Sequence, residues 1–309
     1  MRVVTIGGVL ALLSASVFAK QAPPALPAPA AKSVASSAEV TALVAKAKRD
    51  RKEGEGIIQQ RLLLLGPYKV NIEYRASVSP AMVHEQDAEF ICALEGAGTF
   101  VIGGQLLNQT RTPQSLSGTG IDGGTPHHIA KGDFVMVPEG TPHWYSAIDS
   151  PMVLMSVHLP RAAAAAGQAM KNMATSTDVA ALVAKAKSER KDGQAVVTEP
   201  MLALAPYAAN IEYRVASGTA VVHEQGVELL YIIDGSATFV MGGTLVDEKR
   251  GNPTTLSGSG IVGGTAQHVG KGDFVMVPEG TPHWFSALDG PVQLLALHLP
   301  PAAHAGEKK

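Results

Sequence analysis

The fourteen-residue run Lys131–Trp144, KGDFVMVPEGTPHW, stands a second time, unchanged, as Lys271–Trp284. Other segments repeat in the same order. Asn71-Ile72-Glu73-Tyr74-Arg75 returns 139 residues on as Asn210-Ile211-Glu212-Tyr213-Arg214, and Lys131 returns 140 residues on as Lys271. A period this long is that of a duplicated domain, because solenoid repeats are several-fold shorter. Whatever one copy folds into, the chain must therefore build twice.

Each copy opens on a helical pattern and continues as short strands. Ser36-Ser37-Ala38-Glu39 forms a capping-box signature, and Leu43, Val44 and Ala47 follow at helical spacing. Lys46, Lys48, Arg49, Arg51 and Lys52 gather where the helix dipole favours cations, and Gly54 offers a stop. Strands are expected over 57–65, 70–76, 89–94, 99–102 and 133–137. The 32 glycines and 20 prolines that punctuate the chain suit many short strands, hence an all-β sandwich or barrel in each copy. The glycine-rich stretch Leu116–Gly124 lacks the Gly-Lys-Ser/Thr ending of a phosphate loop. It reads, with Leu256–Gly264, as a long inter-strand loop at a barrel mouth.

The apolar run Val3–Phe18 behind Arg2, with Val17 and Ala19 at the small-residue positions, has the form of a signal peptide spanning 1–19. Cleavage would leave no membrane anchor and a periplasmic or secreted chain. The Ala/Pro-rich residues 20–37 read as a linker, 38–160 as the first domain, 161–173 as a second linker, 174–300 as the second domain and 301–309 as a tail. A net charge of −2 without a basic stripe argues against nucleic acid as a partner. Cys92 is the one cysteine, so no internal disulfide forms, and its apolar surroundings Phe90–Leu94 point to burial.

The run Gly132-x5-Pro138-x-Gly140-x2-His143, repeated at Gly272, Pro278, Gly280 and His283, resembles the second sequence motif of the cupin superfamily. His84-x4-Glu89-x6-Gly96 and His223-x4-Glu228-x6-Gly235 resemble most of the first. The likeness spans roughly 55–160 and 195–300, and it implies two tandem double-stranded β-helix (jelly-roll) barrels, each behind a short α-helix. It also implies a metal site in each, on His84, Glu89 and His143 and on His223, Glu228 and His283. Where the cupin pattern has a further histidine, this chain has Met82 and Val221; the asparagine that often ends the second motif is Ala147 or Ala287.

Two imidazoles and a carboxylate suit a divalent iron, manganese or zinc ion with positions left open. Alternation along a strand would aim Gln86 and Gln225 the same way as His84 and His223, making them candidate additional ligands. Arg75 and Arg214 either clamp an anionic substrate group or pair with a carboxylate. Trp144 and Trp284 alternate away from the motif histidines and read as packing residues. His127, His128 and His268 read as loop histidines, and His158 and His298 as core or interface histidines on a last strand. Three functional readings stay open: a metal-dependent oxygenase, decarboxylase, isomerase or lyase on a small polar substrate; a periplasmic binding protein for a sugar-like or anionic ligand; and a structural envelope protein. Monomer and homo-oligomer are equally compatible with the pattern.

Overall fold

The computed structural model describes residues 32–113, 115–160 and 171–300. The expected leader, most of both linkers and the tail lie outside these residues. Among the described residues two helices form, α1 (Ser37–Asp50) and α2 (Ser176–Glu189). Ser36 caps α1 reciprocally: its hydroxyl accepts from the Glu39 amide at 3.2 Å, and the Glu39 carboxylate accepts from the Ser36 amide at 2.9 Å. Thr175 and Asp178 make the same box on α2. The first helix stops at Asp50, with Arg51 extended, so Gly54 serves the next turn at φ 85° and does not itself end the helix.

All other elements are strands, and they build two similar barrels. In the first, Asp87–Ile102 and His143–Pro160 pair antiparallel along their length and join one ten-stranded sheet. In the second, the corresponding strands are broken into Val227–Asp234 and Ser236–Met241, and into His283–Leu288 and Val292–Leu299, so two six-stranded sheets result. The breaks match register shifts in the first copy between Ile148 and Val153, where the long strand bends from one face of the barrel to the other. Each interior holds an apolar cluster: Ile91, Phe100, Ile129, Val135 and Leu154 in the first barrel, Leu230, Phe239, Val269, Val275 and Leu294 in the second. A further cluster joins the copies, with Phe90, Phe134 and Met136 buried together with Leu229, Phe274 and Met276. Fully burying each such side chain stabilises the fold by roughly 2 kcal/mol.

The copies also exchange their leading segments. Val34–Ala35 pairs with Phe274–Val277 of the second barrel, and Met173–Ala174 pairs with Phe134–Val137 of the first. Just beyond, the Ser37 amide donates to Asp273 and the Ser176 amide to Asp133, each at 2.7 Å. The stretches read as linkers thus end in short strands laid on the opposite barrel. The supposed glycine loops are corrected in the same way, since Ser115–Gly118, Gly120–Asp122, Thr255–Gly258 and Gly260–Val262 are strands. Here glycine permits close approach: a Cβ on Gly118 would stand 2.6 Å from the Leu107 carbonyl oxygen. Cys92 is buried and unpaired, and burial pushes its thiol pKa up, away from reactivity.

Candidate metal centre

His84 ends the strand Ala81–His84, Glu89 lies near the start of Asp87–Ile102, and His143 opens His143–Pro160. The Pro138–Gly140 turn delivers His143: the Gly140 amide donates to the His84 carbonyl at 2.8 Å, tying the turn to the strand that carries the other histidine. His143 Nε2 lies 3.4 Å from Glu89 Oε2, His84 Nε2 lies 3.7 Å from the same oxygen, and the two rings are 5.1 Å apart. His143 Nδ1 faces the Thr141 carbonyl at 3.0 Å, a contact that fixes Nδ1 as the donor and leaves the Nε2 lone pair toward the carboxylate. Glu228 and His283 repeat this at 3.3 Å, with Thr281 behind His283, and His223 stands 5.3 Å from His283 ring to ring. In each copy the two histidines and the glutamate bring one ligand atom apiece within 4.8 Å of one another.

A third imidazole stands beside each triad. His158 and His298 sit directly opposite Glu89 and Glu228 in the strand pairing. The His158 ring meets His84 edge-on at 4.6 Å; His298 Nε2 lies 3.6 Å from Glu228 Oε1. These two, read from the sequence as core or interface histidines, therefore stand at the edge of the site. The available signal was their recurrence at one place on an otherwise apolar strand, Val-His-Leu-Pro and Leu-His-Leu-Pro. His223, His298, Gln225, Thr254, Pro206 and Leu299 line a cavity of about 290 Å³ that reaches the second triad at His223.

Other candidates fall elsewhere. The strand carrying His84 ends there, so alternation does not reach Gln86, which lies exposed in the following turn; Gln225 occupies the same turn but borders the cavity. Arg75 is not free for a substrate: its Nε and Nη2 donate to Glu73 at 3.0 and 2.8 Å, and its guanidinium lies 4.4 Å over the Tyr145 ring. Arg214 is engaged likewise by Glu212 and lies over Phe285. Both face the barrel interior, because Glu73 pairs across the sheet with the core residue Leu154. The indoles of Trp144 and Trp284 donate to the carbonyls of Ser79 and Gly218 and pack against Gly120 and Gly260, as packing residues do. His128 and His268 are exposed beside Asp149 and Asp289, while His127 borders a separate cavity of about 560 Å³.

Tyr145 carries a hydroxyl that is buried without a hydrogen-bond partner among the described residues, where the second copy has Phe285. An unpaired buried hydroxyl costs about 1–3 kcal/mol. Tyr145→Phe is therefore expected to raise stability by about 1 kcal/mol, and a loss on chemical denaturation would contradict this.

Electrostatics keeps the donors ready for a cation. Burial, followed by the charges of His143, His158 and Arg75, outweighs the pull of Glu89 and lowers the His84 pKa to about 4. Burial also depresses His223. For Glu89 and Glu228 burial acts in the opposite sense, but the facing motif histidine and its neighbours prevail and hold the carboxyl below its ordinary range. His84 and His223 are thus biased toward the neutral imidazole and Glu89 and Glu228 toward the carboxylate, the forms that metal binding requires.

The same shift predicts acid sensitivity. The unfolded chain takes up the His84 proton near pH 6.5 and the folded chain only near pH 4. The metal-free fold should therefore lose stability as pH falls through that window, by on the order of 3 kcal/mol from this group. Thermal melts from pH 7 to 4 should show a shallower decline in His84→Asn; an identical decline in the two proteins would refute the assignment.

No protein-family model and no curated protein matches the chain. Solved structures do match. A variant of salicylate 1,2-dioxygenase from Pseudoaminobacter salicylatoxidans aligns over 89% of this chain and 86% of its own, at 13% identity and TM-score 0.60. Another variant of that enzyme, in complex with gentisate, aligns over 89% and 84% at 13% identity and TM-score 0.59. A cupin 2 conserved barrel domain protein from Leptotrichia buccalis aligns over 81% and 91% at 14% identity and TM-score 0.51. At these identities the likeness is one of fold. Both barrels have the cupin fold, two of them in tandem.

Proposed function

We propose that this chain is an exported bicupin whose domains, 38–160 and 174–300, each hold a divalent iron, manganese or zinc ion and act on a small polar molecule. The observation that carries this reading is the duplicated triad: His84, Glu89 and His143, and His223, Glu228 and His283, converge alike in both copies. An oriented imidazole, a second neutral imidazole and an ionised carboxylate fit such a cation chemically. When bound, the ion supplies Lewis acidity to a substrate oxygen. The chain's own part is to hold that ion and to admit a small molecule. Thr141 and Thr281 fix the motif histidines, and Pro206, Leu299 and Pro300 wall the second cavity while Gln225 and Thr254 offer it hydrogen bonds. The complex with gentisate of a fold neighbour supports a small-molecule ligand. Export rests on the apolar run Val3–Phe18 and the small residues around Ala19.

Elemental analysis of the untagged chain tests the metal reading. Two ions per chain are expected, one in His143→Ala or His283→Ala, and none in the double variant. Failure to take up a stoichiometric metal, even after loading with Fe(II), Mn(II) or Zn(II), would leave a metal-free binding protein as the better account.

A further inference from the structure

The triads leave one position unexplained. Position 82 or 221, where a further ligand histidine would stand, holds Met82 or Val221, yet an imidazole still appears beside each site. It comes from a different strand: His158 and His298 lie on the last strand of each copy, directly across the pairing from the ligand glutamate.

The spacing of these groups resolves what that imidazole does. The nitrogen-to-oxygen approaches at the two sites are 3.4, 3.7, 3.3 and 3.6 Å. Apart from the shortest of these they lie beyond good hydrogen-bond length. The two shorter ones match neighbouring ligands of one cation, and the two longer ones exceed that spacing by a few tenths of an ångström: atoms each about 2.1 Å from an ion stand about 3.0 Å apart at a right angle and about 3.4 Å apart at the tetrahedral angle. His298 belongs to the same series. It approaches Oε1 of Glu228 while His283 approaches Oε2, so the carboxylate is bracketed by one imidazole on each side. Two of the four groups in the second barrel, His223 and His298, line the open space, and Glu228 lies buried between His298 and His283. In the first barrel His158 is turned edge-on to His84 at 4.6 Å, which places its ring against the same triad. An imidazole whose role was to fill core would not recur opposite the one buried carboxylate of each site.

We propose that His158 and His298 are metal ligands, so that each barrel holds its ion with three histidines and one glutamate, the third histidine coming from the last strand. The inference rests on the reading that the barrels bind metal. This third nitrogen replaces the one that Met82 and Val221 cannot give. It also places the ion under the cavity between His223 and His298, where a ligand entering past Gln225 would reach it.

Cobalt(II) serves as the probe, since its visible ligand-field absorption reports coordination number independently of any activity. The metal-free full chain is titrated with Co(II) in wild type, in His158→Gly, in His298→Gly and in the double variant, with far-ultraviolet circular dichroism confirming that each is folded. Wild type is expected to bind two ions. In each single variant one ion should bind at least tenfold more weakly and with an altered spectrum, and both should do so in the double variant. Added imidazole should restore the wild-type spectrum in His298→Gly, where the cavity gives it access. Two tightly bound ions with unchanged spectra in the double variant would overturn the proposal and leave the triad sites standing. Weaker binding with an unaltered spectrum would also overturn it, because His158 and His298 would then only position the glutamate. No Co(II) bound by the wild type would instead sink the metal reading itself. Should a variant fail to fold, His158→Gln and His298→Gln keep the side-chain volume and are held to the same spectral criterion.

Discussion

Alanine in place of Gly96 is expected to destabilise the protein by about 3 kcal/mol or more, a loss at the severe end for one methyl group. Two costs combine. Gly96 has φ 77°, and a Cβ there would stand 2.2 Å from the Pro151 carbonyl oxygen and 2.8 Å from Met152 Cα. Both neighbours are backbone of the strand His143–Pro160, at the bend between its two halves, so neither can swing aside. Gly54 supplies the control, because its φ is 85° yet nothing lies within 4 Å of its Cβ position. Gly54→Ala should cost only about 1 kcal/mol. The difference between the two variants in denaturant midpoint isolates the contact, and equal losses would show that conformation alone was at stake. The consequence reaches the site, since Gly96 lies on the strand that carries Glu89 and the strand it presses on carries His143 and His158.

That glycine was legible before any coordinates, as were the triads, because tight turns and ligands recur at fixed spacing in both copies. Spacing along one segment is local information. The partnership of His158 with Glu89 was not legible: it is a matter of strand register between distant segments, and the recurrence of the histidine in both copies does not name its partner. Gln86 failed for the complementary reason. Alternation holds only while a strand lasts, and this one ends at His84. The exchange of Val34–Ala35 and Met173–Ala174 between barrels was hidden as well, since two residues carry no periodicity. Their environment, laid on a strand of the other copy, exists only once both barrels are packed. Arg75 was read as paired with a carboxylate or free for a substrate, and the structure chooses the former. The partner is a neighbour two residues away, and the pair lies inside the barrel.

Glu73→Ala should therefore be among the most damaging substitutions in the first barrel, by about 3–5 kcal/mol. Glu73 is 1% exposed. Its Oε1 accepts from Gln59 and Ser156, each at 2.8 Å, and its Oε2 accepts two bonds from Arg75. Without it the Arg75 guanidinium keeps Ser79 and the Tyr145 face but has no counter-charge, in a place where it cannot lose its proton. Arg75→Met together with Glu73→Leu removes both charges and should recover much of the loss, since an apolar pair of similar volume is tolerated where half an ion pair is not. The second barrel offers an internal comparison. Glu212 is held by Arg214, but Thr198 and Ala296 stand where the first copy has Gln59 and Ser156, so Glu212→Ala should cost less. A metal readout separates this effect from simple unfolding. The positive field of Arg75 already bears on both Glu89 and His84, and stripping away Glu73 leaves it uncompensated. Cation affinity should then fall in the first barrel while the second retains its own. Equal weakening in both barrels, or none in either, would mean that the buried pair and the metal site are not coupled through this charge.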